Sequence, residues 1–476
     1  MKKKFLIIQI DGLGYDVFKK ALENGYLPFL KSLLKEKRFF LKKLNCGLPA
    51  TTSHFQSEIM YGESKNIPGM MWYDKKESKF VSCLTPQAKE VEESKKKKGI
   101  LEKGVSIGNI FNGGAEITFT LSSFFGLSSP YFPKRISLFL TFLLPFLVIF
   151  DFFYSLVFKK RRGTFLEIFL GENLIRREIV KLTEKFAKEK KNIYVNFVGY
   201  DARAHLFGRE NKISLKVLKK IDKIIEKIYW SFKKNYYFFL LSDHGQVDCV
   251  SFKQIFKKDL EKFIKERFKK EEILSTEKIK KALIFKAITE AKERFIKSSF
   301  LKKIYKIVLK IFKNYYKSIS FEKLPYFFSE KGILVINQGD ISQIYFLKKK
   351  KKVFFEEIIK EYPDLLETIS NCWAVDFLVA LTQNGKVKIL GERKLTSQEK
   401  RWISFLIKME NSGDLILFGK KIGDKIIDFS KGKLTCHRGI EKEEQEIFVI
   451  SPVKFKKEIE KVIFPKDLYK FFSGWK

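Results

Sequence analysis

The chain has 476 residues, with 94 Lys and Arg against 55 Asp and Glu, a formal net charge of +39. Hydrophobic residues at 45%, with 50 Phe among the aromatics, exclude a globally disordered chain and suggest two or three domains or one core with insertions. Five scattered Cys with no CxxC pair exclude a disulfide framework and a thiolate zinc site, and only four His are available for imidazole chemistry. The basic excess fits nucleic acid, an anionic membrane surface or a phosphate-rich substrate, and equally fits Lys solvating helix faces.

In chain order, the basic start at Met1–Lys4 leads into the apolar run Phe5–Ile10. That run is shorter than the roughly 7–15 residues of a signal peptide's apolar stretch, so it reads as a buried first strand that delivers Asp11. Tyr15–Lys35 reads as an amphipathic helix. Leu48–Thr52 reads as a strand-to-helix turn, followed by a helix with Phe55, Ile59 and Met60 at helical spacing. Ile136–Phe158 is different: 23 residues with one charge, Asp151, between Lys134-Arg135 and Lys159-Lys160-Arg161-Arg162. A straight helix of that size would be about 35 Å long, enough for a bilayer core of about 30 Å. Pro145, Asp151 and basic clusters at both ends argue against an ordinary span.

Further on, Ile175–Lys190 reads as a helix and Ile193–Val198 as a strand leading to Asp201. A second helix is predicted from Ser214, as N-cap, to Phe232, and a strand at Tyr236–Leu241 ends at Ser242-Asp243-His244-Gly245. Residues 253–320 are Lys-rich and read as helical. Strands are predicted again at Gly332–Ile336, Ile344–Leu347, Val375–Ala380, Lys386–Ile389 and Ile447–Ile450, and Lys348–Lys352 as a solvated turn. Such alternation implies an α/β sandwich with a largely parallel central sheet, helices on both faces and two helical insertions. The expected organisation is a core in three parts (1–125, 165–252 and 324–476), interrupted by an apolar insertion at 126–164 and a Lys-rich helical cap at 253–323.

Three segments just behind predicted strands carry acids or imidazoles: Asp11-Gly12, Asp201-Ala-Arg-Ala-His205 and Asp243-His244-Gly245. His437 follows late in the chain. Singly, each reads equally well as a cap or a turn. Together they use three of the four His, and Asp and His are the oxygen and nitrogen ligands that suit Zn2+ or Mn2+. Thr51 and Thr52 open a helix after Pro49, where a hydroxyl is either a plain N-cap or a nucleophile beside an electropositive helix end.

In this order, strand-Asp-Gly, Pro-x-Thr-Thr, Asp-x-x-x-His, Ser-Asp-His-Gly and a late His, the chain resembles the alkaline phosphatase superfamily. It is most similar to the type I phosphodiesterase/nucleotide pyrophosphatase group. Ile67–Asp74, Val195–His205 and His437–Gln445 resemble that group's segments after the nucleophile helix, at the second metal and near the closing strand. The likeness covers residues 5–75, 190–250 and 330–450.

The resemblance implies a hydrolase of phosphoric esters with two divalent ions, Zn2+ or alternatively Mn2+. Asp11, Thr52, Asp243 and His244 would hold one ion, and Asp201, His205 and His437 the other. Thr52 would form a covalent phosphothreonine; counting back from Gly62 selects it over Thr51, which stays as the alternative. Arg203 and Arg438 adjoin ligand positions and are candidates for binding phosphate. The group's phosphoryl-binding Asn corresponds to Met70 here, so a nucleotide is not singled out as substrate. His54 has no counterpart as a ligand and reads as structural.

If Asp11 and Thr52 share a site with Asp201 and Asp243, both flanks of 136–158 lie on one side of any membrane. The segment is then expected to dip into one leaflet or to form a soluble apolar lid, with the basic flanks favouring an anionic surface on the cytoplasmic face. A lipid-linked phosphate ester would suit that position. The alternatives are a phosphoryl or headgroup transferase using the same residues, or a non-catalytic basic protein binding membrane or nucleic acid.

Overall fold

The computed structural model describes residues 3–120, 176–275 and 332–475, apart from Pro86, Lys270, Glu271 and Lys431. The segment 126–164 therefore lies outside the described residues, as does 276–323. Among the described residues no helix is long and apolar enough to cross a membrane.

Strands β1 (Lys4–Ile10), β2 (Phe39–Asn45), β3 (Val105–Ile107), β4 (Ile117–Phe119), β5 (Ile193–Phe197), β6 (Tyr236–Leu241) and β7 (Glu446–Pro452) form a seven-stranded sheet. Their order is β2-β7-β6-β1-β5-β3-β4. β1 pairs in parallel with both β5 and β6, and only β7 runs against its neighbours. Both faces are covered, so β1 is an almost continuous apolar run. Its alternate residues divide between two cores. Leu6, Ile8 and Ile10 pack with helices α1 (Tyr15–Glu23), α2 (Pro28–Lys35) and the later helices Arg176–Lys188 and Lys212–Phe232. Phe5 and Ile7 pack with α3 (Thr52–Tyr61) and the C-terminal Phe472. The α/β architecture expected from the alternation of elements is thus present.

Register brings the carboxyl ends of the central strands level. Ile10 of β1 lies opposite Phe197 of β5, and Gln9 opposite Leu241 of β6. The residues that follow, Asp11, Asp201 and Asp243, consequently leave the sheet at one edge, where α/β sheets place their sites.

A second, six-stranded sheet contains Ile273–Ser275, Ile333–Gln338, Ile341–Phe346, Leu415–Gly419, Val375–Leu381 and Val387–Gly391 in that spatial order. The tip of its hairpin reaches the first sheet's loops. Gln338 accepts from the N–H groups of Met70 (3.0 Å) and Met71 (3.1 Å) and donates to Met71 O (2.7 Å).

Some local expectations change. The helix expected over Tyr15–Lys35 is two helices, broken where Gly25 takes φ +72° and Pro28 opens the second. The helix ending at Phe232 starts at Lys212, because Asn211 caps it by accepting from Ile213 N; Ser214 donates to Gly208 O instead. Within 253–323, described as far as Ser275, two short helices lead into a strand that pairs with Ile333–Val335, so this part is not wholly helical. The Lys348–Lys352 turn is not simply solvated. Lys352 bonds Met409 O, Ile407 O and Ser412, and burial lowers its pKa to about 8.

Candidate active site

Asp11 follows β1 directly and is held by Asn196 of β5, whose amide donates to Asp11 Oδ2 at 2.8 Å. Gly12 turns the chain with φ +71°, and its N–H donates to Asp243 Oδ1 at 3.1 Å. A Cβ on Gly12 would lie 2.6 Å from Asp201 Oδ1 and 2.9 Å from Gln246 Nε2, so glycine is required by both conformation and space. Asp201 lies in the first turn of α4 (Gly199–Phe207), and His205 stands four residues on, on the same face. His205 Nε2 is 3.5 Å from Asp201 Oδ2.

Beyond β6, His244 Nε2 lies 3.4 Å from Asp243 Oδ2 and 3.6 Å from Asp11 Oδ1. His437 stacks on His244 with ring centroids 3.8 Å apart, and its Nε2 is 3.9 Å from Asp201 Oδ1. Two ligand groups result, each with atoms within 4.8 Å of one another: Asp201, His205 and His437, and Asp11, Asp201 and His244.

The two threonines separate clearly. Thr51 is the N-cap of α3, accepting from His54 N at 3.3 Å, with Ser53 Oγ 3.1 Å away. Thr52 Oγ1 stands 3.3 Å from His244 Nε2. The turn is tied to the late segment by two bonds: His437 Nδ1 contacts Ala50 O at 2.8 Å, and Ala50 N donates to Arg438 O at 3.1 Å.

Backbone carbonyls set the imidazole tautomers. His205 Nδ1 faces Thr435 O at 2.8 Å, His244 Nδ1 faces Gly245 O at 3.0 Å, and His437 Nδ1 faces Ala50 O. A carbonyl only accepts, so each Nδ1 carries a proton and each Nε2 is the nitrogen turned to the carboxylates. Burial lowers His205 to about 3 and holds His437 well below the usual histidine range, which keeps both neutral. Burial, with Asp243 and Asp201 close by, raises Asp11 well above the usual carboxylate range. Asp243 is raised to about 7, chiefly by burial, and its Oδ2 is buried with no hydrogen-bond partner among the described residues. Crowded acceptors of this kind, with inward lone pairs and an orphaned oxygen, fit divalent cations.

Of the remaining candidates, Arg438 is near the cluster. Asp201 is its foremost charged neighbour, its φ is +148°, and its buried Nη1 has no hydrogen-bond partner among the described residues. The Arg203 guanidinium lies 5.7 Å from the Phe207 ring, one turn on along α4. His54 is buried beneath the turn, with Nε2 3.4 Å from Ser64 Oγ and 3.7 Å from Glu58 Oε1. Burial lowers it to about 3, in keeping with a neutral packing residue. Met70 is also buried, its N–H taken by Gln338. Sequence reading missed Asn196, Gln246 and Thr435, polar residues inside or beside strands whose only signal was polarity in a buried run.

The fold and cluster define a hydrolase of phosphoric esters with the alkaline phosphatase architecture. The chain belongs to the type I phosphodiesterase/nucleotide pyrophosphatase family, whose model matches residues 5–315, more than half of its length. Among solved structures, the chain is similar to the alkaline phosphatase PafA, with 12% identity, TM-score 0.54, and 95% of this chain and 91% of that one covered. Human ectonucleotide pyrophosphatase/phosphodiesterase 5 matches with 12% identity, TM-score 0.51, and 98% and 93% covered. The murine form has 11% identity, TM-score 0.51, and 98% and 94% covered. At such identities these structures share the fold. No curated protein matches the chain.

Proposed function

We propose that the protein is a two-metal phosphodiesterase or phosphatase that works through a covalent phosphothreonine on Thr52 at an anionic membrane surface. The observation that carries the metal reading is the common tautomer: three Nδ1 atoms turned to carbonyls and three Nε2 atoms turned toward Asp11, Asp201 and Asp243. Asp11, Thr52, Asp243 and His244 would hold one ion, and Asp201, His205 and His437 the other, with Zn2+ favoured by the mixed nitrogen and oxygen donors and Mn2+ as the alternative. The chemistry supplied at such a site is Lewis acidity, which favours the ionised threonine oxygen and offsets charge on the phosphoryl and leaving oxygens.

The chain's own part begins with Thr52, held at the start of α3, whose electropositive end favours a bound phosphoryl group. Its Oγ1 attacks phosphorus opposite the leaving oxygen, so the Oγ1–P bond forms as the P–O bond to the leaving alcohol breaks. The hydroxyl proton passes to solvent, and the leaving oxygen takes one up. Water then opens the phosphothreonine, releasing phosphate or its monoester and restoring the Thr52 hydroxyl. Arg438, whose foremost charged neighbour is Asp201 and whose buried Nη1 has no hydrogen-bond partner among the described residues, is the side chain suited to a phosphoryl oxygen.

The membrane part is supported by the apolar segment 136–158 between basic clusters, and it points to a lipid-linked phosphate ester as substrate. For the chemistry, Thr52→Ala should abolish turnover of a nitrophenyl phosphate or phosphodiester while leaving metal stoichiometry unchanged. Undiminished turnover in that variant would end the phosphothreonine mechanism.

A further inference from the structure

We infer that Gln246 is a positioning residue that assigns Asp201 to the His205/His437 side of the centre; this rests on the two-metal reading. Asp201 belongs to both ligand groups, with His205 and His437 on one side and Asp11 and His244 on the other. A carboxylate so placed could rotate toward Asp11 and His244, which would leave the His205/His437 pair short of an oxygen ligand.

Gln246 removes that freedom. Its Nε2 donates to Asp201 Oδ1 at 2.6 Å and contacts the backbone O of the same residue at 3.3 Å, so side chain and backbone are held from one direction. Both of those oxygens only accept, which fixes the amide with nitrogen toward Asp201 and Oε1 toward the Thr435 hydroxyl that donates to it. Thr435 also receives His205 Nδ1 on its backbone oxygen. One network therefore orients both Asp201 and His205, leaving Asp201 Oδ2 turned to His205 Nε2 at 3.5 Å.

Burial and charge suit the role. Gln246 is 2% exposed, so it does not exchange its partners for water. Gly12 leaves it room, since a Cβ there would lie 2.9 Å from Nε2. An amide orients the carboxylate without cancelling its charge, whereas Lys or Arg at this position would compete with the cation.

The test uses Gln246→Met, similar in length but without a donor, and Thr435→Val, which removes only the hydroxyl that anchors Gln246. Metal-free protein is titrated with Zn2+ against a chromophoric chelator and, separately, with Co2+ while its visible spectrum is followed; melting curves confirm folding. The expected result is that Gln246→Met weakens one of the two ions by about 10–100-fold. The spectrum of that ion should change and the other ion should stay at wild-type affinity. Thr435→Val should weaken the same ion by less, and it carries the test alone if Gln246→Met does not fold. Wild-type affinity for both ions, or equal loss of both, overturns the assignment. Uptake of no divalent ion by the wild-type protein would instead overturn the metal reading, and this inference with it.

Discussion

Three carboxylates converge, Asp11 and Asp243 buried and Asp201 half-buried, and the chain tolerates this because each is held by a specific donor. Asp11 has Asn196, Asp201 has Gln246, and Asp243 has the Gly12 N–H. Asp243 is the least satisfied, being 0% exposed with Oδ2 unpartnered among the described residues. In metal-free protein, Asp243→Asn should therefore raise the melting temperature, because repulsion from Asp11 and Asp201 and an unmet acceptor, about 1–3 kcal/mol, are relieved. Zn2+ should then stabilise the variant much less than the wild type, since binding to the native state is what adds stability. A metal-free variant that melts below the wild type would contradict the crowding account. At this scale the sequence showed the ligand types, because Asp and His announce their chemistry wherever they stand. Residue chemistry did not separate Thr51 from Thr52, since both are hydroxyls opening one helix, and only the count back from Gly62 favoured Thr52; in the structure the bond to His54 N and the 3.3 Å approach to His244 divide them.

Helix α2 shows how elements are joined by single side chains. Its first-turn N–H groups, on Phe29 and Leu30, donate to Asp222 at 2.9 and 3.1 Å, and Asp222 sits on the helix Lys212–Phe232. Burial raises this carboxyl from 3.8 to about 6. A raised carboxyl binds its proton more tightly in the folded state, so its contribution to stability is full below about 3.8 and is lost as pH rises to about 6. Asp222→Asn, which does not titrate, should accordingly gain on the wild type in melting temperature between pH 4 and 6 and keep a constant difference above that. A difference that stays flat across the interval would show the carboxyl is not raised. The helix break at Gly25 and Pro28 was readable from residue types, yet amphipathic spacing over Tyr15–Lys35 masked it. The short strand Ile273–Ser275 was not readable, because three residues in a Lys-rich stretch become a strand only by pairing with Ile333–Val335.

For the whole molecule, the +39 charge and the proposed membrane position make a joint prediction. The protein should cosediment with vesicles containing phosphatidylserine at low salt and be released as salt rises, while binding phosphatidylcholine vesicles far less. Failure to bind either kind would remove the membrane surface from the proposal. The two sheets also act together at the site: Gln338, at the hairpin tip of the second, holds the backbone of Met70 and Met71 beside the turn that carries Thr52.

What the sequence determined by itself was the parallel α/β plan and the identity of the metal-suited side chains. Strand burial and ligand chemistry are properties of short runs, and they survive in any fold that contains them. Tertiary structure alone decided which atoms meet. It levelled Ile10 with Phe197 and Gln9 with Leu241, set the Thr52 hydroxyl beside His244, turned three Nδ1 atoms to carbonyls and set Gln246 against Asp201. These depend on register and on pairs far apart in the chain, where a shift of one strand by one residue would turn the same side chains away from one another.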